Sequence, residues 1–148
     1  MVRLPDDAET KLGVPLLGVG PLLHAGETPA EAVDNAKMSL TEAHHAIRAA
    51  LALSSAAGLP RTVLVMSSRP IEGKSTTSWA IARDIAQGGR RTLLIDADMG
   101  KPSLHRTLGV PNKLGLSNLL ADHDDVAEAI VTTKSENLSF LPSGSASA

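Results

Sequence analysis

The triplet Gly73-Lys74-Ser75, inside the stretch SSRPIEGKSTT (67–77), combines three residue types that suit a polyphosphate. A glycine lets the backbone pass close to an anion, a lysine carries charge to the β- and γ-oxygens, and a serine hydroxyl ligates Mg2+. Thr76 follows, near where an α-phosphate would lie. The pattern G-x-x-x-x-G-K-[ST] normally opens on glycine, and Ser68 stands there instead. A Cβ is tolerable at that position if the backbone angle is negative. The nucleotide-contacting stretch is therefore read as Ser68, Arg69, Pro70, Ile71, Glu72, Gly73, Lys74, Ser75 and Thr76. The other reading makes Lys74 an ordinary surface lysine on a strand-to-helix turn.

A second constellation lies in LLIDADMGKP (93–102). Asp96 and Asp98 are two residues apart at the carboxyl end of an apolar run, so in a strand they face the same side. Ligands of open α/β sheets bind beyond the carboxyl ends of the strands. Two carboxylates there can hold a hydrated Mg2+ and accept a proton from an attacking hydroxyl. They can equally cap the following turn or helix, as aspartates often do. The predicted catalytic set is Lys74, Asp96 and Asp98, the predicted metal set Ser75, Asp96 and Asp98, and the predicted cofactors are ATP and Mg2+.

Both groups need a particular scaffold. RTVLVMSS (61–68) is a short β-branched-rich run that predicts a buried strand. Lys74 to Gln87 turns helical and stops at Gly88-Gly89, and RTLLIDAD (91–98) predicts a second buried strand. Pro102 to Leu108, Leu116 to Ala121 and DDVAEAIVTT predict short helices, and LSFLPSG (138–144) a third strand. This order predicts a doubly wound α/β domain with a parallel sheet. Upstream, Thr28-Pro29-Ala30-Glu31 is a helix-start signature, and an Ala-rich helix is predicted to run to about Ala57 before Gly58 and Pro60. Residues 1–27 hold KLGVPLLGVGPLLHAGE, whose glycines and prolines predict a short strand and turns.

The 148 residues suffice for one modest core. At 43% hydrophobic and 20% charged the chain is globular in class, and a net charge of −2 gives no basic field for nucleic acid. There is no cysteine, and Trp79 and Phe140 are the only aromatic residues, so base-stacking platforms are not expected. No run of about 18 apolar residues offers a membrane span. MVRLPDDAET lacks the apolar centre of a signal peptide, and the small polar SGSASA predicts a frayed end. None of His24, His44, His45, His105 and His123 has metal-ligand spacing.

The set VMSSRPIEGKSTTSWAIA, RTLLIDADMGKPSLHRTLG, GLSNLL and NLSFLPSG resembles the bacterial tyrosine kinases, which accompany chain-length regulators of capsule and exopolysaccharide export. The resemblance covers residues 12–148. It implies a P-loop NTPase-type sheet, ATP and Mg2+, and a role for Asp96 and Asp98 in the Mg2+ environment and in activating a tyrosine hydroxyl. The family tolerates serine at the first loop position, which accounts for Ser68. It also implies a homo-oligomer, a membrane-embedded regulator as partner, and a place at the cytoplasmic face of the inner membrane. Residues 1–27 look like the segment that follows the last membrane helix in fused regulators, 28–60 are read as the long helix, and 61–148 as a partial nucleotide-binding domain.

The departures are specific. The family's D-x-D continues to an arginine, whereas Gly100 stands here, followed by Lys101. Its interface row E-x-x-R-x-x-R becomes Glu42, His45 and Arg48. Its third motif, a strand ending in Asp, is expected beyond LPSG, and the chain has no tyrosine. The sequence is therefore read as part of a longer protein or a truncated product, with its sheet incomplete. Two alternatives to a kinase remain: a nucleotide-binding regulatory module with little phosphoryl transfer, and a relative of the partition and division-site ATPases. The latter carry a lysine near the start of the loop, where Arg69 is an imperfect substitute.

Overall fold

A computed structural model of the chain describes residues 6–19, 38–67, 72–121 and 125–145. The chain divides into two compact units, residues 1–64 and 65–148.

In the first unit α1 (Asp6–Leu12) precedes an extended stretch, and α2 (Met38–Leu53) follows. Lys11 pairs with Asp7 one turn earlier at 2.7 Å, and Gly13 ends α1 at a φ of 65°. The strand predicted in this region is not formed among residues 13–19. Gly18 lies so close to α2 that a Cβ there would come within 2.7 Å of Ile47 Cγ1. The long helix stops at Leu53, short of the predicted Ala57. The reason is local: the Ser54 hydroxyl donates to Leu51 O at 2.7 Å, and that bond competes with the helical ladder. The start signature at Thr28 lies outside the described residues.

In the second unit α3 (Lys74–Gln87), β1 (Thr92–Ile95), α4 (Leu104–Leu108), α5 (Leu116–Leu120), α6 (Val126–Ala129), β2 (Val131–Thr132) and β3 (Leu138–Leu141) follow in order. The sheet order is β1-β3-β2. β1 runs parallel to β3 with Thr92 opposite Leu138 and Ile95 opposite Leu141, and the ladder continues through Asp96 N donating to Leu141 O at 3.0 Å. β2 is antiparallel to β3, pairing Val131 with Phe140.

Two expectations are corrected here. Residues 62–67 form no strand, and Val63, Leu64 and Met66 are exposed. An apolar run is a strand only when another segment supplies its hydrogen bonds, and none of the described residues does so. The second concerns DDVAEAIVTT, predicted as one helix. It is helical only to Ala129, because the β-branched run Ile130-Val131-Thr132-Thr133 is better accommodated in extended backbone. The sheet is therefore mixed, not all-parallel.

The core lies between α3 and the sheet. Trp79, Ala80, Ile81, Ala82 and Ala86 of α3 are buried, as are Leu94, Leu138, Phe140 and Leu141 of the strands. Small alanine side chains suit a close helix–sheet approach, and Phe140 on the central strand is wholly buried. This packing fixes the N-terminus of α3, and the ladder fixes the carboxyl end of β1.

Candidate functional site

Gly73 is the last residue before α3 and holds a φ of 81°, the left-handed region where a side chain is strained. The turn it makes delivers Lys74 and Ser75 into the first helical turn. The first backbone closure is Thr77 N to Gly73 O at 2.8 Å. The N–H groups of the residues before it have no helical acceptor, so this end of a 14-residue helix suits an anion.

Lys74 Nζ donates to Asp98 Oδ2 at 2.8 Å, with both side chains about a third exposed. The two sequence motifs therefore meet. Asp98 Oδ1 accepts the Lys101 amide at 3.0 Å. The hydrogen bond from Lys74, then that from the Lys101 amide, holds the Asp98 carboxyl below the usual carboxylate range; desolvation opposes them and is smaller. Asp98 is an anion at neutral pH.

Asp96 does different work. It is buried, its Oδ1 accepts the Asp98 amide at 3.2 Å, and its Oδ2 accepts the Leu104 amide at 3.2 Å. Asp96 thus ties the loop 96–103 into one turn and satisfies a donor at the start of α4. The two aspartates at this strand end thus differ in their partners: Asp96 accepts the Asp98 and Leu104 amides, and Asp98 accepts the Lys101 amide and the Lys74 ammonium.

Ser103 is the neighbour that the sequence reading did not single out. It is the N-cap residue of α4, yet its hydroxyl does not cap; it donates to Ser75 Oγ at 3.1 Å. Serine at a helix start, just after Pro102, was a visible signal, but a capping role would have accounted for it.

Of the other predicted contact residues, Glu72 is exposed and Thr76 half-buried in the first turn of α3. Ser68, Arg69, Pro70 and Ile71 lie outside the described residues. Gly100 is exposed, beside Asp98. Among the described residues no group of three or more His, Asp or Glu gathers to cage a metal by itself. The oxygens of Ser75 and Asp98 fit a hard cation shared with phosphate oxygens, since Mg2+ typically takes one or two protein ligands and completes its shell from substrate and water.

A clamp orders the end of β3. Asn112 Oδ1 accepts from Gly144 N at 3.0 Å and from Ser143 Oγ at 3.2 Å, while its Nδ2 donates to Gly144 O at 3.0 Å. Leu116 N donates to Pro142 O and Ser117 N to Ser143 O, both at 2.8 Å. The predicted strand at 138–144 therefore ends at Leu141, and LPSG continues as a clamped loop.

A family model described as an AAA domain matches residues 61–147. Over 111 residues the chain is 37% identical to the putative tyrosine-protein kinase CapB of Staphylococcus aureus, aligning 75% of this chain and 49% of CapB. The chain belongs to the AAA-domain family of the bacterial tyrosine kinases. A second member, tyrosine-protein kinase YwqD of Bacillus subtilis (strain 168), is 34% identical over 70% of this chain and 44% of its own. Among solved bacterial tyrosine kinases, the kinase domain of Escherichia coli ETK superposes with a TM-score of 0.83 at 25% identity, over 99% of this chain and 62% of that one. The chimerical protein CapA2B2 gives a TM-score of 0.78 at 30% identity, over 96% and 61%. The chain spans about half the length of these two curated kinases. Their shared fold is the P-loop α/β type expected from the strand–loop–helix order. Among the described residues no helix is long and apolar enough to cross a membrane.

Proposed function

We propose that this chain carries the nucleotide site of an ATP- and Mg2+-dependent protein-tyrosine kinase that acts in capsule or exopolysaccharide export. The observation that carries this reading is the 2.8 Å contact between Lys74 and Asp98, which joins the phosphate loop to the D-x-D turn. In this reading the amides at the start of α3 and the Lys74 ammonium hold the β- and γ-phosphates. Ser75 and the aspartate turn would hold Mg2+, which when bound would supply neutralisation of phosphate charge. Asp98 exchanges its bond to Lys74 for a role beside the acceptor hydroxyl, whose proton it takes as the tyrosine oxygen bonds to the γ-phosphorus. The bond from that phosphorus to the bridging oxygen breaks, and ADP leaves with the electron pair. Asp96 contributes by keeping the turn in register, with its second lone pairs available to metal-bound water. The partners in this reading are further copies of the chain, through the α2 row Glu42, His45 and Arg48, and a membrane-embedded chain-length regulator at the cytoplasmic face of the inner membrane.

Calorimetry with ADP and Mg2+ tests the site. Lys74→Met removes a charge-assisted contact, and affinity should fall about tenfold or more, equivalent to roughly 1.4 kcal/mol. Equal affinities would overturn the assignment.

A second reading is a nucleotide-binding regulatory module with little transfer. It is favoured by Gly100, which stands where the family resemblance leads to the expectation of an arginine. A tyrosine-containing peptide supplied with radiolabelled ATP separates the two.

A further inference from the structure

We propose that Ser103 is a positioning residue for Ser75, accepting a hydrogen bond from the Ser75 hydroxyl whenever the Ser75 oxygen faces a cation, and so making nucleotide binding selective for the Mg2+ form. This rests on the phosphate-site reading given above. A serine hydroxyl has one proton and two lone pairs. When a lone pair is given to a cation, the proton must point elsewhere, and in a half-buried site it needs an acceptor. Ser103 Oγ, 3.1 Å from Ser75 Oγ, is an acceptor already in place.

Three features of the loop fit this task. The Ser103 side chain makes no cap bond to its own helix, although it occupies the cap position. The first amide of α4, Leu104 N, donates to Asp96 Oδ2 and so makes no demand on the Ser103 hydroxyl. The Ser103 carbonyl closes the first turn of α4 by accepting from Arg106 N at 3.1 Å, which holds the residue while leaving its hydroxyl free to rotate. In the present state Ser103 donates and Ser75 accepts; the reverse polarity needs only rotation of two hydroxyls, with no movement of heavy atoms.

The test is ADP binding to the whole chain by calorimetry, with excess Mg2+ and separately with EDTA. The wild-type chain should bind ADP more tightly with Mg2+. Ser103→Ala should weaken the Mg2+ arm by about fivefold, the scale of one hydrogen bond, and leave the EDTA arm within about twofold. Ser103→Thr, which keeps the hydroxyl, should restore the Mg2+ arm. Trp79, the only tryptophan, sits one helical turn beyond Ser75 on α3, so its fluorescence gives a second readout. The Mg2+ concentration at half-saturation should rise in Ser103→Ala. In a Ser75→Ala background, Ser103→Ala should have no further effect, because no hydroxyl remains to donate the hydrogen bond. Equal losses in both arms, no loss in the Mg2+ arm, or a full effect in the Ser75→Ala background would overturn the inference while leaving the phosphate site standing. A wild-type chain that binds ADP in neither arm would overturn the phosphate-site reading itself, and this inference with it.

Discussion

Lys74 and Asp98 belong to different elements, the first turn of α3 and the loop after β1, and their charged ends are 2.8 Å apart. The contact balances the Lys74 and Asp98 charges against each other while the amides at the start of α3 stay available to an anion. It also links the site to acid stability.

Asp98 is held below its ordinary value, chiefly by the hydrogen bond from Lys74. A lowered folded-state pKa gives stability that is fully present above the unfolded value, about 3.9, and lost as pH falls through the folded value. Asp98→Asn should therefore be less stable than wild type at neutral pH by a small amount, since the pair is partly exposed. The difference should vanish in strong acid. Urea unfolding followed by circular dichroism at several pH values below neutrality checks this. A difference that grows on acidification would contradict it.

Gly115 and Gly144 bring the α5 turn and the loop after β3 into close approach. A Cβ on Gly115 would run into the main-chain atoms Gly144 N and Pro142 O, neither of which can move aside cheaply. Gly115→Ala should cost about 1–3 kcal/mol and lower the thermal midpoint. Gly109 makes a useful contrast: it has a φ of 65° but nothing within 4 Å of its would-be Cβ. Gly109→Ala should suffer only the left-handed backbone penalty, about 1 kcal/mol.

Gly100 has room for a side chain. Its ideal Cβ would meet nothing nearer than Asp98 Oδ1 at 3.9 Å, and its backbone is not left-handed. Gly100→Arg should fold as well as wild type and place a cation beside the site. If the kinase reading is right, phosphorylation of a tyrosine peptide should rise by about tenfold or more, because one preorganised electrostatic contact commonly carries 10²–10³ in rate. A folded variant with no gain would favour the regulatory-module reading.

Glu42 and His45 are exposed on α2, with Arg48 half-buried one turn further on. The family resemblance drawn from the sequence leads to the expectation of an arginine at the position of His45. His45→Arg should strengthen self-association of the chain, seen as a rise in weight-average mass by light scattering across a concentration series. An unchanged mass would argue against that helix face as the contact between copies.

The sequence by itself determined the parts whose hydrogen bonds are local. Gly73 and Gly88 bracket a helix that runs from Lys74 to Gln87 as predicted, because a helix closes its bonds within four residues and glycines mark its ends. It also determined the chemistry on offer, since Lys74, Ser75, Asp96 and Asp98 are identifiable from residue type and spacing. Tertiary structure decided everything that needed a distant partner. Residues 62–67 read as well as any strand yet pair with none of the described residues, while Val131–Thr132, hidden in a helical-looking stretch, found Phe140 and Ser139. The two aspartates are equivalent in the sequence. Only the fold made one a buried tie to Leu104 and the other the partner of Lys74, because the α4 start brings its first amide to Asp96 and the α3 start brings its ammonium to Asp98. Ser103 gained its role in the same way, through a bond spanning 28 residues that no local pattern records.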